Sequence, residues 1–285
     1  MKTVASVSGS ILDVLELLVP GASKRTLRQM LSQGRITVNG IPCSISSHSI
    51  RPGDVLEIGP RRIPAKLPQG LEILYEDKDI LVIHKPAGLL TVSTIYESKR
   101  TAYACLRRHL REHNAGQKLY VVHRLDKFAS GVLVFAKSER VQAMLKRLFS
   151  RHEIQRKYWA IVEGKMEKSS GTIRSYLAQD RSLRMHSTGD RKRGKSAVTH
   201  YRILRQLPRV TALEVTLETG RKNQIRVHLS ESGHPIVGDR AYGSNLDLFG
   251  RLGLHAFQLG FVHPTKKTPV QFRTEPPPEF LRYLP

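Results

Sequence analysis

The chain has 285 residues, of which 40% are hydrophobic, so it can bury at least one substantial core and is not a disordered chain. It carries 47 Lys and Arg against 24 Asp and Glu, a formal net charge of +23 that opposes compaction and indicates a polyanionic partner. Nucleic acid is the leading candidate for that partner, and an anionic membrane surface is the alternative.

The membrane alternative is disfavoured because no segment offers a long apolar run without charges, and the apolar stretch near the amino terminus contains acids, unlike a signal peptide. Cys43 and Cys105 lie far apart and form neither a CxxC pair nor a disulfide framework. Two small buried apolar residues are the simpler interpretation. We therefore expect a soluble, cytoplasmic protein in a reducing compartment.

The first 58 residues predict a small helix-and-strand domain. In SKRTLRQMLSQG, apolar residues recur at helical spacing, Ser23 can cap the start and Gly34 can close the end. Next, ITVNGIPCSI predicts two short strands around Asn39-Gly40, and VLEI predicts a last strand. Three basic side chains fall together on the exposed face of the helix, namely Lys24, Arg25 and Arg28. Taken alone, such a charge run can be no more than a solvated surface.

A proline-containing segment, residues 59–70, predicts a semi-rigid linker, and residues 71–285 form the predicted main domain. Strands predominate there, with helices predicted from Ser138 and from near Lys222. Four of the predicted strands occupy residues 131–137, 157–164, 196–205 and 209–217. Since the helices are dispersed among the strands, the pattern predicts an α+β fold with a mixed or antiparallel sheet.

Several reaction classes lack their sequence signatures. The chain contains no GxGxxG, no HExxH and no GxSxG, which disfavours dinucleotide, zincin and α/β-hydrolase chemistry. Its twelve histidines are scattered without a compact metal-ligand spacing. We therefore predict a reaction that needs neither a cofactor nor a metal.

The strongest candidate for a catalytic motif is residues 121–138, VVHRLDKFASGVLVFAKS. A polar HRLD cluster precedes Ser130-Gly131 and an apolar strand, which predicts that Asp126 sits on a loop supported by the sheet. By itself, an Asp before a turn is usually an Asx-turn or a surface ion pair. The motif as a whole, however, resembles the signature of the RluA family of pseudouridine synthases, in which the Asp of HRLD is the catalytic residue.

The resemblance extends over the whole main domain. DKDILVIHKPAGLLT, RKYWAIVEG and LETGRKNQIRVHLSESGHPIVGDRAYG resemble further family motifs, in the family order. Similarly, the first domain resembles the α-L RNA-binding domain named after a small-subunit ribosomal protein, which implies docking of its basic helix on folded RNA. We therefore expect an RNA uridine isomerase with no obligate protein partner evident.

The resemblance implies roles for six residues of the main domain. Asp126 would be the nucleophile or its equivalent, Tyr158 would stack on the target base, and Arg226 would pair with the catalytic carboxylate. The remaining three would contact RNA: Arg124 would enter the RNA stack, Ile225 would line the base pocket and Arg221 would bind a phosphate. The route of attack, at C1′, at C6 or through a glycal, stays open.

Two positions differ from the usual family pattern, Ala129 where the family has Thr and Asn223 where it has His. These differences leave an alternative open: a non-catalytic RNA-binding or ribosome-assembly factor on the same scaffold. A metal-dependent nuclease is disfavoured because no second carboxylate lies within the HRLD motif. Ribosomal RNA, especially that of the large subunit, is the preferred substrate over transfer RNA because the appended RNA-binding domain is frequent on the large-subunit enzymes.

Overall fold

The computed structural model describes residues 1–32, 34–59, 67–95, 97–113 and 117–285. The chain divides into two compact units, one of Met1–Leu67 with Cys105–Lys118 and the other of Pro68–Ala104 with Leu119–Pro285. Residues 60–66 of the predicted linker lie outside the described residues. The domain bounds given above, 1–58 and 71–285, stay a prediction.

The first unit packs two helices against short antiparallel strands. Its elements are β1 (Lys2–Val4), β2 (Gly9–Ser10), α1 (Ile11–Leu18), α2 (Lys24–Ser32), β3 (Ile36–Val38), β4 (Ile41–Pro42), β5 (Ser49–Ile50) and β6 (Val55–Ile58). One sheet has the order β1-β6-β3-β4, and β2 pairs with β5. The apolar faces of α1 and α2 meet in a common core that includes Ile11, Leu15 and Leu27.

Local chemistry explains the bounds of α2. The Ser23 hydroxyl accepts the Thr26 amide at 3.2 Å, as an N-cap does, and Gly34 has a φ of 64° in the left-handed region where a Schellman-type end favours glycine. Both signals act as predicted. The sequence interpretation missed α1, which Ser10 caps by accepting the Asp13 amide at 3.3 Å.

The second unit is built on one eleven-stranded sheet. Its strands are β7 (Glu72–Glu76), β8 (Ile80–Lys85), β9 (Tyr120–Val121), β10 (Ser130–Ala136), β11 (Gln155–Glu163), β12 (Ser170–Gln179), β13 (Met185–Thr188), β14 (Lys195–Gln206), β15 (Val210–Leu217), β16 (Leu254–Val262) and β17 (Pro269–Arg273). Three helices follow in chain order, α3 (Ala102–His113), α4 (Glu139–Ser150) and α5 (Gln224–Glu231), with 3₁₀ turns at Arg240–Tyr242 and Pro278–Phe280. The boundary between the two units falls within α3, between Ala104 and Cys105.

The main path through the sheet runs β13-β12-β14-β15-β11-β16-β10-β8-β7, while β9 joins β10 and β17 joins β16. Its strand pairs are antiparallel except β10 with β16, which run parallel. The prediction of an α+β fold with a mixed sheet is confirmed. Because β10 and β11 lie on either side of β16, the segments that carry Asp126 and Tyr158 come close in space.

The parallel pair approaches unusually closely at Gly131. This residue has a φ of 120°, and a Cβ atom there would lie 2.1 Å from the Ala256 carbonyl oxygen. Only glycine therefore fits at this point of β10. The close approach fixes the end of the loop that leads into the strand from Asp126.

The middle of the sheet is packed by aromatic rings. Trp159 on β11, the chain's one tryptophan, stacks on Phe257 with ring centroids 4.2 Å apart and planes 7° apart, and on His255 at 5.7 Å. Burial lowers the pKa of His255 to about 3, so its ring is neutral at physiological pH. Among the described residues, no helix is long and apolar enough to cross a membrane.

Candidate active site

The loop that carries Asp126 connects β9 to β10 and is fixed by hydrogen bonds. The Thr91 hydroxyl, which is 2% exposed, donates to the Leu125 carbonyl at 2.8 Å and accepts the Leu125 amide at 3.2 Å. The turn closes through the Ala129 amide, which donates to the Asp126 carbonyl at 3.2 Å. A hydroxyl from Thr91 therefore holds this loop, although Ala129 itself carries none.

A buried lysine supports the same loop from below. Lys85 is fully buried, and its ammonium group donates to the carbonyls of Pro86 at 2.9 Å, Leu89 at 2.8 Å and Lys127 at 3.2 Å. Burial and, to a lesser extent, the charge of Arg251 lower the pKa of Lys85 against the opposing charge of Asp126, to about 7 in all. Lys85 thus joins the strand end of β8 to the loop beside Asp126.

Arg226 lies on α5 and faces Asp126 across the cleft. Its Nη1 is 3.6 Å from Asp126 Oδ2, and the two side chains are 16% and 23% exposed. Its stronger partner is Asp239, which accepts from Nε at 2.7 Å and from Nη2 at 2.8 Å in a bidentate pair. Burial lowers the pKa of Arg226, but the bonds and charges of the two carboxylates outweigh burial and raise it.

Asn223 and Tyr242 complete the support of Arg226. The Asn223 side-chain oxygen accepts from Arg226 Nη1 at 3.1 Å, while its amide nitrogen donates to the Tyr242 hydroxyl at 3.0 Å. The Tyr242 ring lies 4.7 Å from the guanidinium of Arg226. Asn223 has a left-handed φ of 54°, a conformation that Asn adopts more readily than most residues. The Asn at this position is therefore part of the site's framework.

Tyr158 projects from β11 and is 8% exposed. Burial raises the pKa of its phenol, the charge of Arg156 lowers it and the charge of Asp126 raises it, so that the net pKa lies above the ordinary value. At neutral pH Tyr158 is consequently an uncharged phenol. An apolar ring face suits stacking on a base.

These side chains enclose one cavity of about 320 Å³. All six residues to which the motifs assign a role in the main domain line it: Arg124, Asp126, Tyr158, Arg221, Ile225 and Arg226. They come from two loops, a strand and a helix that span about a hundred residues of sequence. The structure thus brings the predicted catalytic residues and the predicted RNA contacts of this unit together.

The three predicted RNA contacts of the first unit are all exposed on α2. Lys24 lies 3.5 Å from Glu16, and both side chains are partly in water, so this pair leaves the basic face accessible. Lys24, Arg25 and Arg28 have no acidic residue between them in the helix, which keeps the charge of the face positive.

Sequence reasoning missed several polar residues of the site, above all Asp239, Lys85 and Arg156. Asp239 lies inside the motif GDRAYG, and the available signal was a carboxylate directly after the apolar run of residues 235–238. His123 of HRLD is structural, because its Nε2 accepts the Val134 amide at 3.2 Å and burial lowers its pKa to about 3.

Comparison with known proteins gives a consistent result. The profile of the RNA pseudouridylate synthase family matches residues 79–231, and that of the S4 domain matches residues 11–56. Ribosomal large subunit pseudouridine synthase D of Xylella fastidiosa is 35% identical over an alignment of 300 positions that covers 95% of this chain and 86% of that protein. An uncharacterized RNA pseudouridine synthase of Bacillus subtilis, YhcT, is 35% identical over 85% of this chain and 82% of its own.

Among solved structures, human RNA pseudouridylate synthase domain containing 4 superimposes with a TM-score of 0.62 at 25% identity, covering 74% of this chain and 91% of that one. The family profile spans more than half of the 285 residues, and the relatives align along nearly all of them. The family inferred from the motifs is confirmed: this chain belongs to the RNA pseudouridylate synthases and carries an S4 domain near its amino terminus.

Proposed function

We propose that this enzyme converts uridine to pseudouridine in ribosomal RNA of the large subunit, with Asp126, Tyr158 and Arg226 as its catalytic residues. The observation that carries the proposal is the approach of Asp126 to Arg226, 3.6 Å apart in a cavity that Tyr158 also lines. Two relatives that align over at least 95% of this chain are ribosomal large subunit pseudouridine synthases D, from Xylella fastidiosa and Yersinia pestis.

The reaction breaks the C1′–N1 bond, and its electron pair stays with the uracil. The ring then turns, C5 bonds to C1′, the C5 proton leaves and N1 regains a proton. A carboxylate such as Asp126 can serve this reaction by adding to the sugar or to the base, or by removing a sugar proton. Arg226 orients that carboxylate through the 3.6 Å approach of its Nη1, and Asp239 in turn orients Arg226.

The uracil must leave the RNA stack to reach Asp126, at a cost of a few kcal/mol. Arg124 is exposed at the cavity and is our candidate for the residue that takes the vacated place in the stack. Arg221 is the proposed phosphate contact, and Ile225 is the proposed apolar contact of the base. The basic face of α2 then adds phosphate contacts on folded RNA, with residues 1–58 as the RNA-binding domain and 71–285 as the catalytic domain.

The cytoplasm is the proposed compartment, since both cysteines, Cys43 and Cys105, are free and buried.

Replacement of the nucleophile tests the function directly. Asp126→Asn should abolish pseudouridine formation, measured as tritium release from C5-labelled ribosomal RNA, because an amide cannot perform the carboxylate's step. Binding measured by filter retention should stay within a few-fold of wild type, because affinity comes mainly from phosphate contacts. Asp190→Asn, a change in an exposed turn, serves as the control.

Inactivity of the wild-type protein on ribosomal RNA, with RNA binding intact, would favour the ribosome-assembly factor instead. Turnover by Asp126→Asn at a rate near wild type would remove Asp126 from its role. A map of pseudouridines in cells with and without the protein would then identify the target site.

A further inference from the structure

One wall of the cavity carries a buried cation to which no motif assigned a role. Arg156 precedes Tyr158 by two residues on β11, so the two side chains leave the strand on the same side. Both are buried, Arg156 with 7% of its surface exposed, and both line the cavity that contains Asp126. A guanidinium thus sits within one strand repeat of the ring proposed to stack on the base.

Arg156 has no anionic partner in the part of the chain that the structure describes. Its Nη2 donates to the carbonyl oxygens of Glu218 at 2.9 Å and Leu217 at 3.4 Å, and its Nε is buried without a hydrogen-bond partner. The ring of Phe149 lies 5.4 Å away. By contrast, Arg226, which lines the same cavity, contacts two carboxylates.

Burial of an uncompensated charge is expensive. Desolvation lowers the pKa of Arg156, yet a guanidinium keeps its proton in proteins, so the group remains a cation in a nearly dry wall. The cavity lining adds to the imbalance, because its single acid is Asp126 while its cations are Arg124, Arg156, Arg221, Lys222 and Arg226. Because buried charges are as a rule paired, an unpaired cation in a cavity wall points to a ligand as the source of the negative partner.

We propose that Arg156 is a further catalytic residue, whose guanidinium binds the target uracil and stabilises the electron pair that the base acquires when C1′–N1 breaks. The inference rests on the proposed function. Every route open to Asp126 makes the ring anionic: departure from C1′ leaves the pair on N1 and the carbonyl oxygens, and addition at C6 places it on the enolate of O4. A fixed cation at the developing charge is a general means of transition-state stabilisation.

Gly220 provides an independent means of testing the position of this group. A Cβ atom there would lie 2.3 Å from Arg156 Nη1, and the backbone of Gly220 is outside the left-handed region. Gly220→Ala should therefore displace the guanidinium while its charge and the backbone are retained. Because Gly220→Ala keeps the positive charge of Arg156, a loss of rate in this variant reports the position of the guanidinium and not a loss of charge that attracts RNA.

The test compares Arg156→Met with wild type in single turnovers at saturating RNA. Arg156→Met should lower the rate by about 100- to 1,000-fold, the loss typical for one transition-state donor. Its affinity for RNA should stay within about 3-fold, since phosphate contacts elsewhere supply the affinity. Arg156→Lys should recover part of the rate, and Gly220→Ala should lose at least about tenfold. Arg202→Met, which changes an exposed arginine on β14, is the matched control.

A substrate with a better leaving group distinguishes catalysis from mere support of the fold. Fluorine at C5 stabilises the uracil anion, so the deficit of Arg156→Met should shrink on RNA that carries 5-fluorouridine, measured as loss of the intact nucleoside. An equal deficit on both substrates would assign Arg156 a structural role and overturn the proposal. So would a loss confined to RNA affinity, which would indicate a phosphate contact. If Arg156→Met fails to fold, Gly220→Ala on the two substrates decides in the same way.

The two proposals fail differently. Wild-type protein that releases no tritium from any ribosomal RNA refutes the proposed function. Wild type and Arg156→Met that react at equal rates refute the role of Arg156 alone.

Discussion

The pair of Arg226 and Asp239 should contribute to both stability and catalysis. Asp239→Asn is nearly isosteric and retains one acceptor, but its amide nitrogen then faces a guanidinium that donates from the same side. The side chain of Asp239 is 2% exposed, and its two bonds measure 2.7 and 2.8 Å, so little solvent is available to replace the lost charge.

The expected magnitude follows from burial. Breaking a buried ion pair by removal of one partner costs about 3–5 kcal/mol, because a desolvated charge is left behind. Arg226 keeps Asp126 at 3.6 Å and is itself 16% exposed, which places the expected loss at the lower end, about 3 kcal/mol. A matched change, Asp247→Asn, removes the partner of Arg240, where the side chains are 40% and 81% exposed, and should cost less than about 1 kcal/mol.

Urea denaturation followed by circular dichroism measures both variants, and tritium release measures their activity. We expect Asp239→Asn to lose activity even where it is fully folded, since Arg226 no longer has the carboxylate that orients it toward Asp126. Equal stability of Asp239→Asn and Asp247→Asn would refute the assignment of the bidentate pair as a structural support.

Three further predictions concern pH, RNA and packing. The pKa of Lys85 is lowered to about 7, mainly by burial, from an ordinary value of 10.5, so between these pH values the unfolded chain binds more protons and the free energy of unfolding should rise with pH. Between pH 8 and 9 the free energy of unfolding of the wild type should rise more steeply than that of Lys85→Met, by about 1.3 kcal/mol per pH unit. Equal pH dependence of the two proteins in urea denaturation would contradict this. Changing the basic residues of α2 together to alanine should weaken RNA binding and reduce its salt dependence by up to about three phosphate equivalents in filter titrations, while saturating RNA restores most of the rate; the residues are Lys24, Arg25 and Arg28. Gly131→Ala should lower the free energy of unfolding by about 4 kcal/mol or more, because its Cβ would clash with the backbone of Ala256. The control Gly243→Ala, which has open space around it, should lower it by about 1–2 kcal/mol. Similar melting temperatures of the two variants would contradict the close approach at Gly131.

Elements with strong local signals could be predicted from the sequence. The strands β10, β11, β14 and β15 begin and end within two residues of their predicted bounds, and the helices α4 and α5 begin within two residues of their predicted starts. Ser138, for example, caps α4 as predicted by accepting the Val141 amide at 3.2 Å. The strands β12 and β13 at one end of the sheet escaped prediction because each buries only one residue, Leu177 and Met185, so their pattern carries little apolar signal.

Some residues of the candidate site could likewise be predicted from the sequence, and others could not. Asp126, Tyr158 and Arg226 stand in motifs whose residues could be read directly, and all three line the same cavity. Asp239 and Arg156 could not be assigned because their importance depends on burial and on which groups lie opposite them. Such partners belong to segments far apart in sequence, and only the assembled sheet brings them together.

The aromatic packing of β11 gives the protein an internal optical probe. Trp159 lies in the second unit, stacked on Phe257, and the first unit contains no tryptophan. Its fluorescence therefore reports the melting of the catalytic sheet alone, whereas far-ultraviolet dichroism reports both units. If the two signals change at different denaturant concentrations, the units unfold separately, and each variant's effect can be assigned to one of them without cutting the chain.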